Sequence, residues 1–427
     1  MDSPTLDSLA QEIASSTKIL TAWLKEDNQS EPSFLSSGPE KFPQSAAPRD
    51  VQQAREKLIS ATSQLHVLAQ WPFTAAQSFA NTRAFDAQAL RCIVSLNIAE
   101  HVPLQGSTSF AELAAQVEVD ESRLRRVLRY AMTNYWFCEP EPGQVAHSAM
   151  SKLLRTSDAI RGQTSYQTRV GAAASQSWLE SLRASREDRS HRTSPFNLSF
   201  ETEMQSMSWA LSDPQRSVWF NDMLKAYQES GDLALAHTVA MFDWKSIDDC
   251  LLVDVGGNTG TTVSAIAASA PGARFVVQDL PAPIARGKDQ LHADLASRIE
   301  FKEHDFFAPN PVSGPSIFLL RSVLHDWSDE RATTILRHLF AAMGPETKLL
   351  IVETIVRAPG TLPASAEKRQ RVLDLTMFTM MNSQERTEED WRALVGDAAD
   401  GKAEIVDIVT PPGSALSMMV VVKRDVA

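Results

Sequence analysis

The stretch Leu251-Leu-Val-Asp254-Val-Gly256-Gly257-Asn258-Thr-Gly260 decides the fold. Leu251–Val255 is a short apolar run rich in branched residues, the composition of a buried parallel strand. Glycines follow at once at 256, 257 and 260, and 261–270 reads as a helix. Strand, glycine-rich turn and helix, in that order, open a nucleotide-binding α/β sheet. Glycine lets the backbone turn sharply and approach a ligand closely, with the first N–H groups of the helix aimed at it.

The ligand is read from what surrounds the glycines. A dinucleotide fingerprint, Gly-x-Gly-x-x-Gly, would need its first glycine where Val255 stands. Instead an acid, Asp254, lies in the strand end, which suits a ligand with a positive end and suits a diphosphate poorly. Asp254-x-Gly256-x-x-x-Gly260 resembles the first motif of S-adenosylmethionine (SAM) methyltransferases. The competing reading is a glycine turn in an α/β enzyme that binds something else. Asp279 comes 19 positions after Gly260 at the end of the next strand, followed by Leu280, where an acid meets a ribose diol in doubly wound folds. Asp305 and Phe306 follow the third strand, where a carboxylate can accept an adenine amino group and a ring can stack on the base.

Beyond the turn the α/β alternation is regular. Strands are expected at 274–278, 299–301, 316–320 and 348–353, with a helix over 329–343 stopped by Gly344-Pro345. Segments 403–409 and 417–422, separated by Pro411-Pro412-Gly413, read as a closing hairpin. The fold class predicted is α/β, a Rossmann-like sheet with a mostly helical winged-helix domain ahead of it. Three parts are expected: 1–49, a helix and a flexible linker; 50–245, a helical dimerisation and substrate-covering domain; and 246–427, the catalytic domain.

Bulk properties narrow the classes. The 427 residues carry a net charge of −12, which disfavours non-specific binding to nucleic acid or anionic membrane. Cys92, Cys138 and Cys250 lie far apart without paired spacing, consistent with free thiols in a reducing, cytoplasmic setting and with no zinc site. No signal peptide and no membrane span are expected from the apolar runs.

In the N-terminal half, amphipathic helices are expected at 5–25 and 51–70, joined by the Ser- and Pro-rich segment 28–49. The first of them could pack on a second subunit or on its own domain. A winged helix is read over 85–155: a helix at 85–99, a capping box from Ser109 to Glu112, a helix capped by Asp120, and a two-stranded wing over 136–147. The helix after Asp120 carries Arg123, Arg125, Arg126 and Arg129. In isolation it resembles a DNA recognition helix, so a ligand-responsive regulator is the reading from a different class. The acidic chain, and Asp120 and Glu121 at the start of that helix, oppose it.

The sharpest stretch is Arg321-Ser-Val-Leu-His325-Asp-Trp327-Ser-Asp329. A histidine at the mouth of the fourth strand shares a sheet edge with Gly256 and is placed to meet substrate. Its ordinary pKa suits a general base. Glu353, at the end of the fifth strand, and Glu385 can flank the ring, fix its tautomer and stabilise the imidazolium that forms.

Leu-His325-Asp-Trp-Ser-Asp, the Glu353 strand end and Glu385-Arg-Thr, in this order and spacing, resemble the caffeic-acid-type O-methyltransferases of plants and fungi. The resemblance covers roughly 50–425 and in detail leans toward fungal polyketide pathways. It implies a catalytic set of His325 as base with Glu353 and Glu385 orienting it. It also implies that Asp254, Gly256, Gly257, Gly260, Asp279, Leu280, Asp305, Phe306 and Arg321 hold SAM. Trp327, Met377 and Met381 are expected to line the pocket of a phenolic or enolic acceptor. No metal is required, and a homodimer is expected, because the N-terminal helices offer more apolar faces than one small domain buries. The turn departs from the family's usual Gly-Gly-Gly-x-Gly at Asn258, a residue that tolerates positive φ. Some fungal members with this fold catalyse pericyclic or dehydration steps, and the two acids beside His325 favour methylation.

Overall fold

The computed structural model describes residues 3–424 except 45, 187, 189, 230 and 248. The chain divides into two compact units, Met1–Gln228 with Pro363–Ala366, and Glu229–Leu362 with Glu367–Ala427.

The first unit is helical. Helices α1 (Leu6–Glu26) and α2 (Arg49–Ala69) pair through Trp23, Leu24, Ala47 and Val51, with Phe42 against them. The Ser/Pro-rich connection is not the free linker expected. The ring of Phe34 stacks on Tyr135 at 4.3 Å, its carbonyl accepts from Ala149 N, and Lys152 pairs with Glu40 at 3.3 Å. Helix α3 spans Trp71–Ser95 and so begins well before the predicted 85, with Pro72 in its first turn, where a missing N–H costs nothing. Periodicity hid this start, because Trp71, Phe73, Phe79 and Phe85 all face outward.

Helices α4 (Phe110–Gln116) and α5 (Glu121–Thr133) open at the predicted caps. Ser109 Oγ accepts from Glu112 N while the Glu112 carboxylate accepts from Ser109 N, and Asp120 accepts from Arg123 N. The wing differs from the reading. Its hairpin is a single bridge, Cys138 to Ala146, and strand β2 (Gln144–Val145) pairs antiparallel with β1 (Thr108–Ser109), which precedes α4. The tight return through Pro140 and Pro142-Gly143 leaves too few residues for two full strands. Two of the α5 arginines are engaged inside the unit: Arg129 binds Glu139 through Nε and Nη2 at 2.8 Å, and Arg125 pairs with Glu121. A further helical turn spans Pro195–Ser199.

The second unit holds an eight-stranded sheet in the order β5-β4-β3-β6-β7-β10-β9, with β8 paired to β7. Strands β3 (Leu251–Val255), β4 (Arg274–Asp279), β5 (Ile299–Glu303), β6 (Ile317–Arg321) and β7 (Lys348–Val356) are parallel. β8 (Arg386–Thr387) is a short parallel addition, and β9 (Ala403–Val409) and β10 (Leu416–Lys423) close the sheet antiparallel, as the Pro-Pro-Gly turn predicts. Strand alternation separates two cores. Val253, Val255, Phe318, Leu320, Leu349 and Ile351 enter one, and Leu252, Leu319, Leu350 and Val352 enter the other. Both faces are covered, which is why these strands read as continuous apolar runs.

Helix α6 (Thr261–Ala267) follows the glycine turn, α7 (Pro281–Gln290) follows β4, and α8 (Asp329–Ala342) follows β6. α8 does not end in a left-handed glycine. Met343 is extended at φ −69° and ψ 133°, and Gly344 N donates to Thr347 Oγ1. Helix α9 (Ala364–Met381) precedes β8, and α10 (Glu388–Ala398) follows it. Glu353 lies within β7 rather than at its end, since β7 runs three residues further to pair with β8.

Candidate active site

The glycine turn and the histidine turn lie against each other at the C-terminal edge of the sheet. Gly256 has φ +72°, and a Cβ there would stand 2.9 Å from Val323 Cγ2 and 3.6 Å from the Phe306 ring. Only glycine fits that backbone and that space. Asn258, the departure from the family pattern, takes φ 53°, the left-handed conformation that Asn tolerates. Its N–H donates to Asp279 Oδ2 at 2.8 Å, while Leu280 N donates to Asp279 Oδ1 at 2.7 Å. Asp279 is thereby fixed across the mouth of the turn, and the side chain of Leu280 is exposed beside it. Asp305 forms a local turn, accepting from Phe307 N at 3.0 Å. Phe306, Phe307 and Trp327 pack edge to face at 4.8–5.9 Å between centroids, joining the predicted base-stacking ring to the predicted pocket tryptophan.

Asp254 is buried, and its Oδ2 has no hydrogen-bond partner among the described residues; neither has Asn258 Oδ1. Burial pushes the Asp254 carboxyl up to about 7; Arg321 pulls against this and Asp279 adds to it. An orphaned carboxylate oxygen beside a glycine turn is the donor set that a cationic ligand completes, so these residues fit SAM, whose positive end they could meet. Arg321 itself is committed within the unit, through Nε to Thr238 Oγ1 at 3.0 Å and Nη2 to the Leu233 carbonyl at 2.8 Å.

His325 sits in a 3₁₀ turn, Leu324–Asp326, directly after β6. Its Nδ1 is 2.9 Å from Glu385 Oε1 and 3.6 Å from Glu353 Oε2. Glu353 Oε1 accepts from the N–H groups of Val323 and Leu324, so this acid holds the turn as well as facing the ring. Asp326 Oδ1 lies 3.6 Å from Nε2, a third carboxylate that the sequence reading did not single out; adjacency to His325 was its only signal. Burial by itself lowers the imidazole pKa, but the charges of Glu353, Glu385 and Asp326 overcome it and raise the pKa well above the ordinary histidine value. Burial likewise raises Glu353, and raises Asp326 to about 6.

Met377 is buried and Met381 half-buried in the last turns of α9, which ends at Asn382 in a left-handed conformation just before the strand that brings in Glu385. The structure thus brings His325, Glu353, Glu385 and Asp326 into direct contact, and Gly256, Phe306 and Trp327 alongside them.

A Rossmann-like sheet with an acid-tipped strand, a glycine turn and an acid-gripped histidine on one edge defines the class of SAM-dependent methyltransferases. Residues 180–399 match the family described as the O-methyltransferase domain, residues 80–157 the O-methyltransferase dimerisation domain, and residues 4–70 the N-terminal domain of the trypacidin cluster transcriptional coactivator tpcD. O-methyltransferase pgmB of Aspergillus terreus is 37% identical over 97% of this chain and 95% of its own. The Hps1-dma1 cluster O-methyltransferase of Dothistroma septosporum is 33% identical over 99% and 96%. The chain therefore belongs to the SAM-dependent O-methyltransferases, alongside enzymes of fungal secondary-metabolite clusters.

Among solved structures, OxaC superimposes with a TM-score of 0.78 at 22% identity, covering 98% of this chain and 99% of that one. A structure titled a pericyclic reaction enzyme superimposes at 0.75 with 20% identity, covering 89% and 96%. The fold is shared across different chemistries, so the reaction has to be argued from the side chains.

Proposed function

We propose that this protein transfers the SAM methyl group to a phenolic or enolic hydroxyl of an aromatic, polyketide-like acceptor, with His325 as general base. The observation that carries this is the grip of Glu385 on Nδ1 at 2.9 Å, which directs Nε2, with Asp326 Oδ1 3.6 Å from it, to an acceptor hydroxyl. When bound, SAM supplies an electrophilic methyl on its sulfonium. Nε2 takes the hydroxyl proton as the new O–C bond forms, and the electron pair of the broken C–S bond stays on sulfur. Glu385 and Glu353 hold the ring and stabilise its charged form.

Asp254, Gly256, Gly257, Gly260, Asp279, Leu280, Asp305 and Phe306 would form the SAM site, with Arg321 positioning the segment beneath it. Trp327, Met377 and Met381 would back the acceptor. The base–acid cluster favours methylation over a pericyclic step, which has no need of a proton acceptor held in this way. Two copies of the chain would assemble through the N-terminal unit.

His325→Ala tests the proposal. SAM affinity should be retained, because the turn is untouched, while turnover on a candidate phenol at neutral pH falls roughly 10²- to 10⁴-fold. The deficit should shrink as pH nears the pKa of the phenol, where solvent has already ionised the acceptor. Unchanged methylation by His325→Ala at neutral pH would remove His325 from the mechanism.

A further inference from the structure

Arg386 is fully buried, as Glu353 is, yet it touches none of the carboxylates around His325. Its guanidinium donates through Nη1 to the Leu324 carbonyl at 2.9 Å, through Nη2 to the Trp327 carbonyl at 2.8 Å, and through Nε to Asp329 Oδ1 at 2.8 Å. Leu324 is the residue before His325, and Trp327 comes two after it. The planar fork therefore clasps the backbone on both sides of the histidine. The neighbouring residue in the chain, Glu385, holds the ring, and its own N–H is fixed by Asp374 Oδ1 at 3.0 Å. One dipeptide, anchored to β7 through the pairing of Ile355 with Arg386, grips His325 by ring and by backbone together.

We infer that Arg386 is a positioning residue for the base: the contact that sets where the His325 turn, and hence Nε2, stands relative to the glycine turn. A buried guanidinium is an expensive way to gain stability, since its desolvation offsets much of what its partners return. Its distinctive contribution is geometric. Five donors in a rigid plane can bind two carbonyls three residues apart and an acid at once; an ammonium on a flexible stem cannot. Catalysis tolerates little displacement, and a shift near 1 Å can cost about 10²-fold.

The inference rests on His325 being the base, and the experiment separates the two. Arg386→Lys retains the charge but cannot span both carbonyls. It should lower kcat roughly 10- to 100-fold with SAM affinity unchanged. The same substitution made in His325→Ala should change the remaining activity by less than about twofold, because there is no imidazole left to misplace. Equal loss in both backgrounds, or no loss in the wild type, overturns the positioning role while leaving the base reading intact. Full activity of His325→Ala alone overturns the base reading instead. Should Arg386→Lys fail to fold, Asp329→Ala removes the acceptor of Arg386 Nε at the outer rim and leaves both carbonyl bonds. It should give a smaller kcat loss that also vanishes without His325, and no loss or an undiminished one counts against the inference.

Discussion

At His325, three carboxylates within 3.6 Å favour the charged ring and raise its pKa well above the ordinary histidine value. A base must first be neutral, so turnover should rise with pH through the imidazole pKa. Glu385→Gln removes one of the raising charges. The rise in kcat/KM should then move to lower pH while the plateau falls, by less than in His325→Ala. A midpoint that stays in place would show that Glu385 does not tune the ring. For folding the sign is the usual one for a raised histidine: the stabilisation is present below the unfolded value of roughly 6.5 and is lost as pH climbs through the folded pKa. Asp254 runs the opposite way from most carboxylates. Burial lifts it to about 7 from an unfolded value of roughly 3.9. Its proton-bound form is the one the fold favours, so wild-type stability falls between those two pH values and levels off above them. Asp254→Asn, which does not ionise, should melt several degrees above the wild type at pH 8 without ligand, with little difference at pH 4, and should bind SAM more weakly. An equal melting difference at both pH values would refute the assignment.

The glycine turn was legible because its residue types are backbone requirements: positive φ at Gly256, Asn258 and Gly260 admits few side chains. Asn258→Gly should be tolerated. Asn258→Val forces a β-branched residue into the left-handed region and should cost about 1–2 kcal/mol, read by chemical denaturation together with weaker SAM binding. No loss in the valine variant would show that the turn can relax. The helix caps at Ser109 and Asp120 were legible for the same local reason. The start of α3 was not, because its outward face is aromatic and the expected apolar stripe is missing. The wing was misread because β2 takes its partner from Thr108–Ser109, more than thirty residues earlier in the chain.

At the scale of the molecule, Trp71, Phe73, Phe79 and Phe85 are 63–76% exposed along a single helix, continuous with the segment that matches the O-methyltransferase dimerisation domain. Exposed aromatic runs of this density mark interaction surfaces. Light scattering of the wild type at micromolar concentration should give a dimer, and Phe73→Asp with Phe79→Asp should shift it to a monomer. A wild-type monomer would contradict the assembly. The same samples should not bind duplex DNA at low salt. The chain is acidic, and two of the four arginines that suggested a recognition helix are paired with Glu121 and Glu139; tight, salt-sensitive binding would restore the regulator reading. No helix among the described residues is long and apolar enough to cross a membrane.

By itself the sequence determined what is local: apolar strands covered on both faces, the glycine turn, the caps, and a histidine at a strand mouth with acids at family spacing. These are written in short-range rules of backbone conformation and strand alternation. Only the tertiary structure decided which groups meet. Glu385 reaches His325 across 60 positions, and Arg386 reaches Leu324 across 62. The unpartnered oxygen of Asp254, the shift of the imidazole and the closeness of Asp326 to Nε2 all depend on burial and on distances between segments. A sequence pattern lists charges and glycines; folding sets the dielectric around them and the few ångströms between them, and from those two quantities the chemistry follows.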